Sequence, residues 1–293
     1  MKQGHLRQLF IYPVKSLAGI ALERAEVTDR GFAGDREWMI VDENGTYVTQ
    51  RQLPQMAAIQ VMLEHGGVSL SHPRAGILTV AAPAPDAPMH QVRVWKDTCD
   101  AQMAGPDVRE WLAEALAESR PLSMAKFAPG FTRAPQPSRF GDATTQFADA
   151  APFLIVNQTS LDRLNEHLVN QGIEPVDIRR FRPNLVADGL PAFAEHAMNR
   201  LEASLQAPLQ APLKVTENAA TWELCDRCQR CSIITVDPDS GTRSPGAVPF
   251  KQLAAINPMP DNPKAPAFGI NARLLRGAGQ TVAVGSRIFW STT

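Results

Sequence analysis

The chain has 293 residues, room for about two domains of ordinary size with cores that need no disulfide staples. Its 29 Lys and Arg against 30 Asp and Glu leave a net charge of −1, which argues against a non-specific nucleic-acid binder, because that class carries a basic field. Hydrophobic residues make up 44% and charged residues 20%, which excludes wholesale disorder, and no run approaches the ~18 apolar residues of a membrane helix.

Residues 5–12 and 20–28 alternate apolar and β-branched side chains and are predicted strands. Residues 36–42 and 46–50 flank Asn44-Gly45, and residues 59–65 and 68–71 flank Gly66-Gly67. Both dipeptides tolerate positive φ, so each marks a predicted hairpin. Residues 77–80 and 91–95 add two strands around a proline-rich surface loop at 81–88. A helix follows, capped by Asp107 and ended by Pro121, with Val108, Trp111, Leu112, Ala115 and Leu116 on one face. Residues 128–147 lack periodicity and read as a long connection.

The second half opens on a predicted buried strand at 153–156. A helix at 159–170 follows, started by Thr159 and Asp162 at capping-box spacing and stopped by Gly172. Residues 184–187, 232–236, 268–275 and 281–290 are further predicted strands, with a turn over Asp237 to Gly241. Many short strands, few helices and 24 prolines predict an α+β class, predominantly β and barrel-like.

Three of the four cysteines fall within seven residues: Cys225, Cys228 and Cys231 form C-x-x-C-x-x-C. Four cysteines in a chain of this length do not make a disulfide framework. A structural zinc wants a fourth ligand, and Cys99 is far off in sequence. A ferredoxin-type cluster wants a cysteine at position 235, where Thr235 stands. A third reading is a single thiolate on a metal held mainly by an organic cofactor, with Arg230 favouring the thiolate form. A fourth is a group of reduced cysteines without a ligand role. The histidines at 65, 72, 90, 167 and 196 lack metal-ligand spacing, and no nucleophile elbow, P-loop or dinucleotide fingerprint occurs in context.

The segment RCSIITVDPDSG, residues 230–241, resembles the cysteine motif of the MOSC superfamily, the molybdenum-cofactor sulfurase C-terminal domain. The likeness is greatest to its amidoxime-reducing and hydroxylaminopurine-resistance subgroup. Four further stretches agree in order: IYPVKSLAG at 11–19, GFAGDREWMIVDENG with TQRQLPQMA at 31–57, FADAAPFLIVNQTSLDRLN at 147–165, and RRFRPNLVADG at 179–189. The resemblance implies a β-rich N-terminal domain over residues 1–126, a MOSC β-barrel domain over residues 127–293, and a cofactor between them.

It further implies a molybdenum cofactor, Mo-molybdopterin, with Cys231 as the catalytic protein ligand to the metal. Lys15 and Ser16, just after a strand, could meet a phosphate or pterin carbonyl. Arg36, Arg182, Asn184, Gln229 and Arg230 are the other implied cofactor contacts, together with Thr159 and Ser160 at a helix start whose free N–H groups suit an anion. An aromatic residue can stand in related reductases where Asn271 falls here. The implied reaction is two-electron reduction of the N–O bond in small N-hydroxylated molecules. Some relatives append a ferredoxin domain, and no such cysteine pattern follows here, so electrons are expected from a separate partner of the ferredoxin or flavin-reductase type. The same domain vocabulary also carries pyridoxal phosphate binding. A sulfur-carrier or cofactor-trafficking protein with a Cys231 persulfide, and a zinc-binding module without catalysis, are the alternatives. No nucleic-acid or membrane partner is expected, and the lack of a secretory signal gives a cytoplasmic expectation.

Overall fold

The computed structural model describes residues 1–205 and 219–292. Seven strands close a barrel in the order Lys2–Ile11, Leu185–Ala187, Phe153–Asn157, Ala267–Arg276, Ala219–Gln229, Arg200–Ser204 and Arg287–Ser291, and the last pairs again with the first. Period-two alternation explains the closure, because each strand sends every second side chain inward. Phe153 and Ile155, Leu201 and Ala203, Ala220, Trp222 and Leu224, and Ile288 and Trp290 fill the interior. On the opposite face, Leu154, Val156 and Val186 pack against Leu161, Leu164 and Leu168 of the helix Gln158–Val169.

The remaining N-terminal residues build a four-stranded sheet from Trp38–Val41, Ser123–Phe127, Asp97–Met103 and Met89–Val94. They also build a meander from Gln60–Glu64, Gly67–His72 and Gly76–Ala81. The helix Asp107–Leu116 buries Val108, Trp111, Leu112, Ala115 and Leu116 in their shared core. The two halves interleave. The chain's first strand completes the barrel, and Thr281–Ala283 near the end pairs with Arg24–Thr28. No helix among the described residues is long and apolar enough to cross a membrane.

The predominantly β class predicted from sequence is the observed one. Several local expectations differ. The second hairpin turns at His65-Gly66, and Gly67 is already in the strand, where a Cβ would meet the Val80 carbonyl oxygen at 2.1 Å. Residues 46–50 give only isolated bridges at Thr46 and Tyr47. Asp107 lies inside its helix behind Pro106, and that helix closes at Ala117 in the left-handed region, not at Pro121. Thr159 is likewise internal, because Asn157 is the capping position and Asp162 bonds Gln158 at 2.8 Å. Residues 281–290 are two strands with different partners. Residues 232–236 are no strand, since Ser232–Thr235 is a 3₁₀ turn.

Candidate active site

A cleft of about 650 Å³ opens where the barrel meets the N-terminal sheet. Both halves of the chain line it, so no single segment contains the site. Eight non-glycine residues among those described hold positive φ, and four of them line this cleft: Ser16 at 68°, Arg36 at 52°, Trp95 at 56° and Arg182 at 54°. Such backbone costs about 1–3 kcal/mol per residue and persists only where the surroundings enforce it. Here it turns two guanidinium groups onto one aromatic ring. Arg182 lies 4.1 Å and Arg36 4.7 Å from the Tyr12 ring centre.

Asn184 holds this arrangement together. It is buried, and its Oδ1 accepts from Arg36 Nη1 at 3.1 Å and from the Leu154 amide at 3.1 Å. Its Nδ2 donates to the Phe10 carbonyl at 3.3 Å and to Asp35 at 3.0 Å. Asp35 in turn accepts the Tyr12 amide at 2.7 Å and pairs with Arg36. Arg182 donates through Nη1 to the Leu17 carbonyl at 2.7 Å, while its Nη2 is buried with no partner among the described residues. Burial pulls its pKa down to about 10. Arg230 reaches Cys228 Sγ at 3.0 Å and the Phe181 carbonyl at 2.7 Å, and its Nε is also buried and unpartnered.

Lys15 is only 5% exposed and donates to the Phe147 carbonyl at 2.8 Å and to Asp149 at 2.5 Å. Burial lowers its pKa to about 8, against the opposing pull of Asp149. The Asp149 carboxyl also accepts the Trp95 indole N–H at 2.9 Å and, despite the cost of burial, stays ionised well below the usual carboxylate range beside Lys15 and Arg51.

The three clustered cysteines part company. The strand Ala219–Gln229 carries register shifts at Thr221/Trp222, Leu224/Asp226 and Arg227/Gln229, which re-aim its side chains. Cys225 lines a separate surface pocket beside Arg273, and burial raises its thiol pKa to about 11. Cys228 and Cys231 both line the cleft. Cys231 follows the strand's last residues, is exposed, and has Arg51 Nη1 at 3.8 Å from its sulfur. Among the described residues no three His, Cys, Asp or Glu side chains gather as a metal site.

Of the residues singled out from sequence, Lys15, Ser16, Arg36, Arg182, Asn184, Gln229, Arg230 and Cys231 line one cleft, and Thr159 and Ser160 do not. Ser160 is turned into the protein, donating to Glu195 at 2.9 Å, and that buried carboxyl has a pKa raised to about 7. Sequence reading missed Asp35, Arg51, Arg139, Asp149 and Asp226. The first, second and fourth lie inside segments that carry the family resemblance; Arg139 and Asp226 have no sequence signal.

Residues 3–119 match the MOSC N-terminal beta barrel domain, and residues 142–289 match the MOSC domain. The chain is 30% identical over 248 residues to mitochondrial amidoxime-reducing component 1 of Xenopus laevis, covering 81% of this chain and 67% of that protein. It is 29% identical over 252 residues to the human protein of the same name, covering 82% and 68%. It is 26% identical over 313 residues to molybdenum cofactor sulfurase of Oryza sativa subsp. japonica, covering 98% of this chain but 36% of that protein. Two domain matches in order, flanking a cleft that holds an exposed thiol from the second, place this chain in the MOSC family.

Proposed function

We propose that the protein is a molybdenum-cofactor-dependent reductase of small N-hydroxylated molecules, fed with electrons by a separate protein of the ferredoxin or flavin-reductase type. One observation carries the reading. An exposed thiol, Cys231, shares a cleft with a group of cations, two of which, the half-buried Arg182 through Nη2 and Arg230 through Nε, keep a buried donor atom without a partner among the described residues. Buried donors without partners are costly, and a polar, phosphate-bearing group bound in the cleft would satisfy them. The donor set thus fits a pterin-based cofactor. The names of the amidoxime-reducing relatives support the same chemistry.

When bound, the cofactor supplies two-electron, oxygen-accepting chemistry at its metal. The chain's own part is binding and orientation. Cys231 offers a soft sulfur ligand, and the Arg51 guanidinium lies 3.8 Å from that sulfur. Arg182, Arg230 and Lys15 offer charge-assisted donors to the cofactor's oxygens. Arg36, fixed by Asp35 and Asn184, holds the loops that carry Arg182 in place through its bond to the Arg182 carbonyl at 3.2 Å. The overall reaction takes an N–OH group, two electrons and two protons to N–H and water. Lys15 Nζ, with a pKa of about 8, holds a proton that can leave near neutral pH.

The test is turnover of benzamidoxime to benzamidine by cofactor-loaded protein with reduced methyl viologen as donor. Activity is expected with viologen and absent with NADH alone, and Cys231→Ser is expected to abolish it. Undiminished turnover in Cys231→Ser would overturn the assignment.

A further inference from the structure

We infer that Asn271 is a specificity-determining residue: held by Asp226, it presents a carbonyl oxygen to the cleft and selects N-hydroxylated molecules that carry an N–H donor next to the N–O bond. The inference rests on the reductase reading and names the substrate class that this chain's cleft prefers.

The strands Ala219–Gln229 and Ala267–Arg276 pair Asp226 with Asn271, and both residues line the cleft. Asp226 lies at a register shift, and its side chain is shared between two donors. Arg139, from the turn Pro137–Phe140 in the long connection, donates through Nε to Asp226 Oδ2 at 2.7 Å. Asn271 donates through Nδ2 to Asp226 Oδ1 at 2.8 Å. Arg139 is itself steadied by Gln136 Oε1 at 2.7 Å.

A carboxylate only accepts hydrogen bonds, so it dictates which end of the Asn271 amide faces it. The amide nitrogen must turn to Asp226, and Oδ1 must turn away. Among the described residues nothing donates to that oxygen, and Asn271 is 5% exposed. It is a nearly buried acceptor on the cleft wall. The charge of Asp226 is met by Arg139, so the wall offers a neutral acceptor and does not demand a cation. Sites built around such an acceptor discriminate strongly against isosteres that lack the donor, because the acceptor then loses its water without gaining a partner.

The discriminating pair is benzamidoxime and acetophenone oxime, in which a methyl group replaces the amino group at nearly the same size. Calorimetry on cofactor-loaded protein is expected to show benzamidoxime binding about tenfold more tightly or better. Asn271→Leu should bring the two affinities together. Asp226→Asn should go further. Its amide oxygen would stay with Arg139 and its NH₂ would face Asn271, so the Asn271 amide turns round, offers a donor to the cleft, and the preference for benzamidoxime is lost. This second variant keeps the test alive if Asn271→Leu does not fold. Equal affinities in the wild type, binding of neither compound, or an undiminished preference in either variant would overturn the inference. Preference in binding without viologen-driven turnover would sink the reductase reading alone, and turnover without preference would sink this inference alone.

Discussion

Lys15 is the cation in the cleft whose proton is least secure. Its folded pKa of about 8 lies below the ordinary lysine value of 10.5 because burial disfavours the charge. The unfolded chain therefore binds more protons than the folded one between pH 8 and 10.5, and the sign of the linkage makes folding more favourable as pH rises through that window. The penalty is fully present below pH 8 and amounts to up to about 3 kcal/mol. Denaturant titrations of cofactor-free protein should show the wild type gaining stability relative to Lys15→Met as pH goes from 7.5 to 10. A flat difference would show that the ammonium is not desolvated. At this scale the sequence was partly legible. Lys15, Arg36 and Arg182 could be placed together through motifs, while the role of Asn184 as the hub that fixes Arg36 depends on four bonds to residues far apart in the chain. Ser160 read as an anion contact because a helix begins beside it. Its partner, Glu195, is 35 residues away and gave no sign in the sequence.

The strand Ala267–Arg276 shows why element-level reading succeeds in some places and fails in others. Residues 268–275 are predicted as a strand, and the structure places Ile270 and Ala272 of that strand inward. Its neighbour Ala219–Gln229 went unread because three register shifts break the period and polar residues occupy its second half. The run Ser232 to Val236 failed in the opposite sense. Its β-branched residues suggest a strand, but β propensity mostly reports a fit to a half-buried pleated surface. Here Ile233 and Ile234 are buried from a 3₁₀ turn, with Thr235 Oγ1 bonding back to the Ser232 carbonyl at 2.7 Å. Gly269 is the point in the strand where composition and geometry are most tightly bound. Its φ is +73°, and a Cβ would sit 2.8 Å from the Ile155 carbonyl oxygen and 2.9 Å from Val156 Cγ2. Gly269→Ala is expected to destabilise by roughly 1–3 kcal/mol, from left-handed backbone and a contact with main chain that cannot swing aside. An unchanged urea midpoint would contradict the packing described for this pair of strands.

At the scale of the whole molecule, the cleft depends on an interleaved topology. Leu6, Leu9 and Ile11 of the first strand complete the barrel core. The two halves are also tied at the cleft itself: Arg182 bonds the Leu17 carbonyl at 2.7 Å, Arg243 bonds the Arg51 carbonyl at 2.9 Å, and Arg51 reaches Cys231. The sequence predicts two domain-like halves, but the strand exchange between them is a long-range pairing that no local pattern encodes. A cofactor lodged here would contact both halves, with its metal anchored by one sulfur. The most direct test is the metal, pterin and sulfane-sulfur content of the purified full chain and of Cys231→Ser, both expressed with molybdate. The proposed function predicts molybdenum and pterin in stoichiometric amount in the wild type and loss of molybdenum in the variant. Zinc without molybdenum, or sulfane sulfur on Cys231 without pterin, would contradict it.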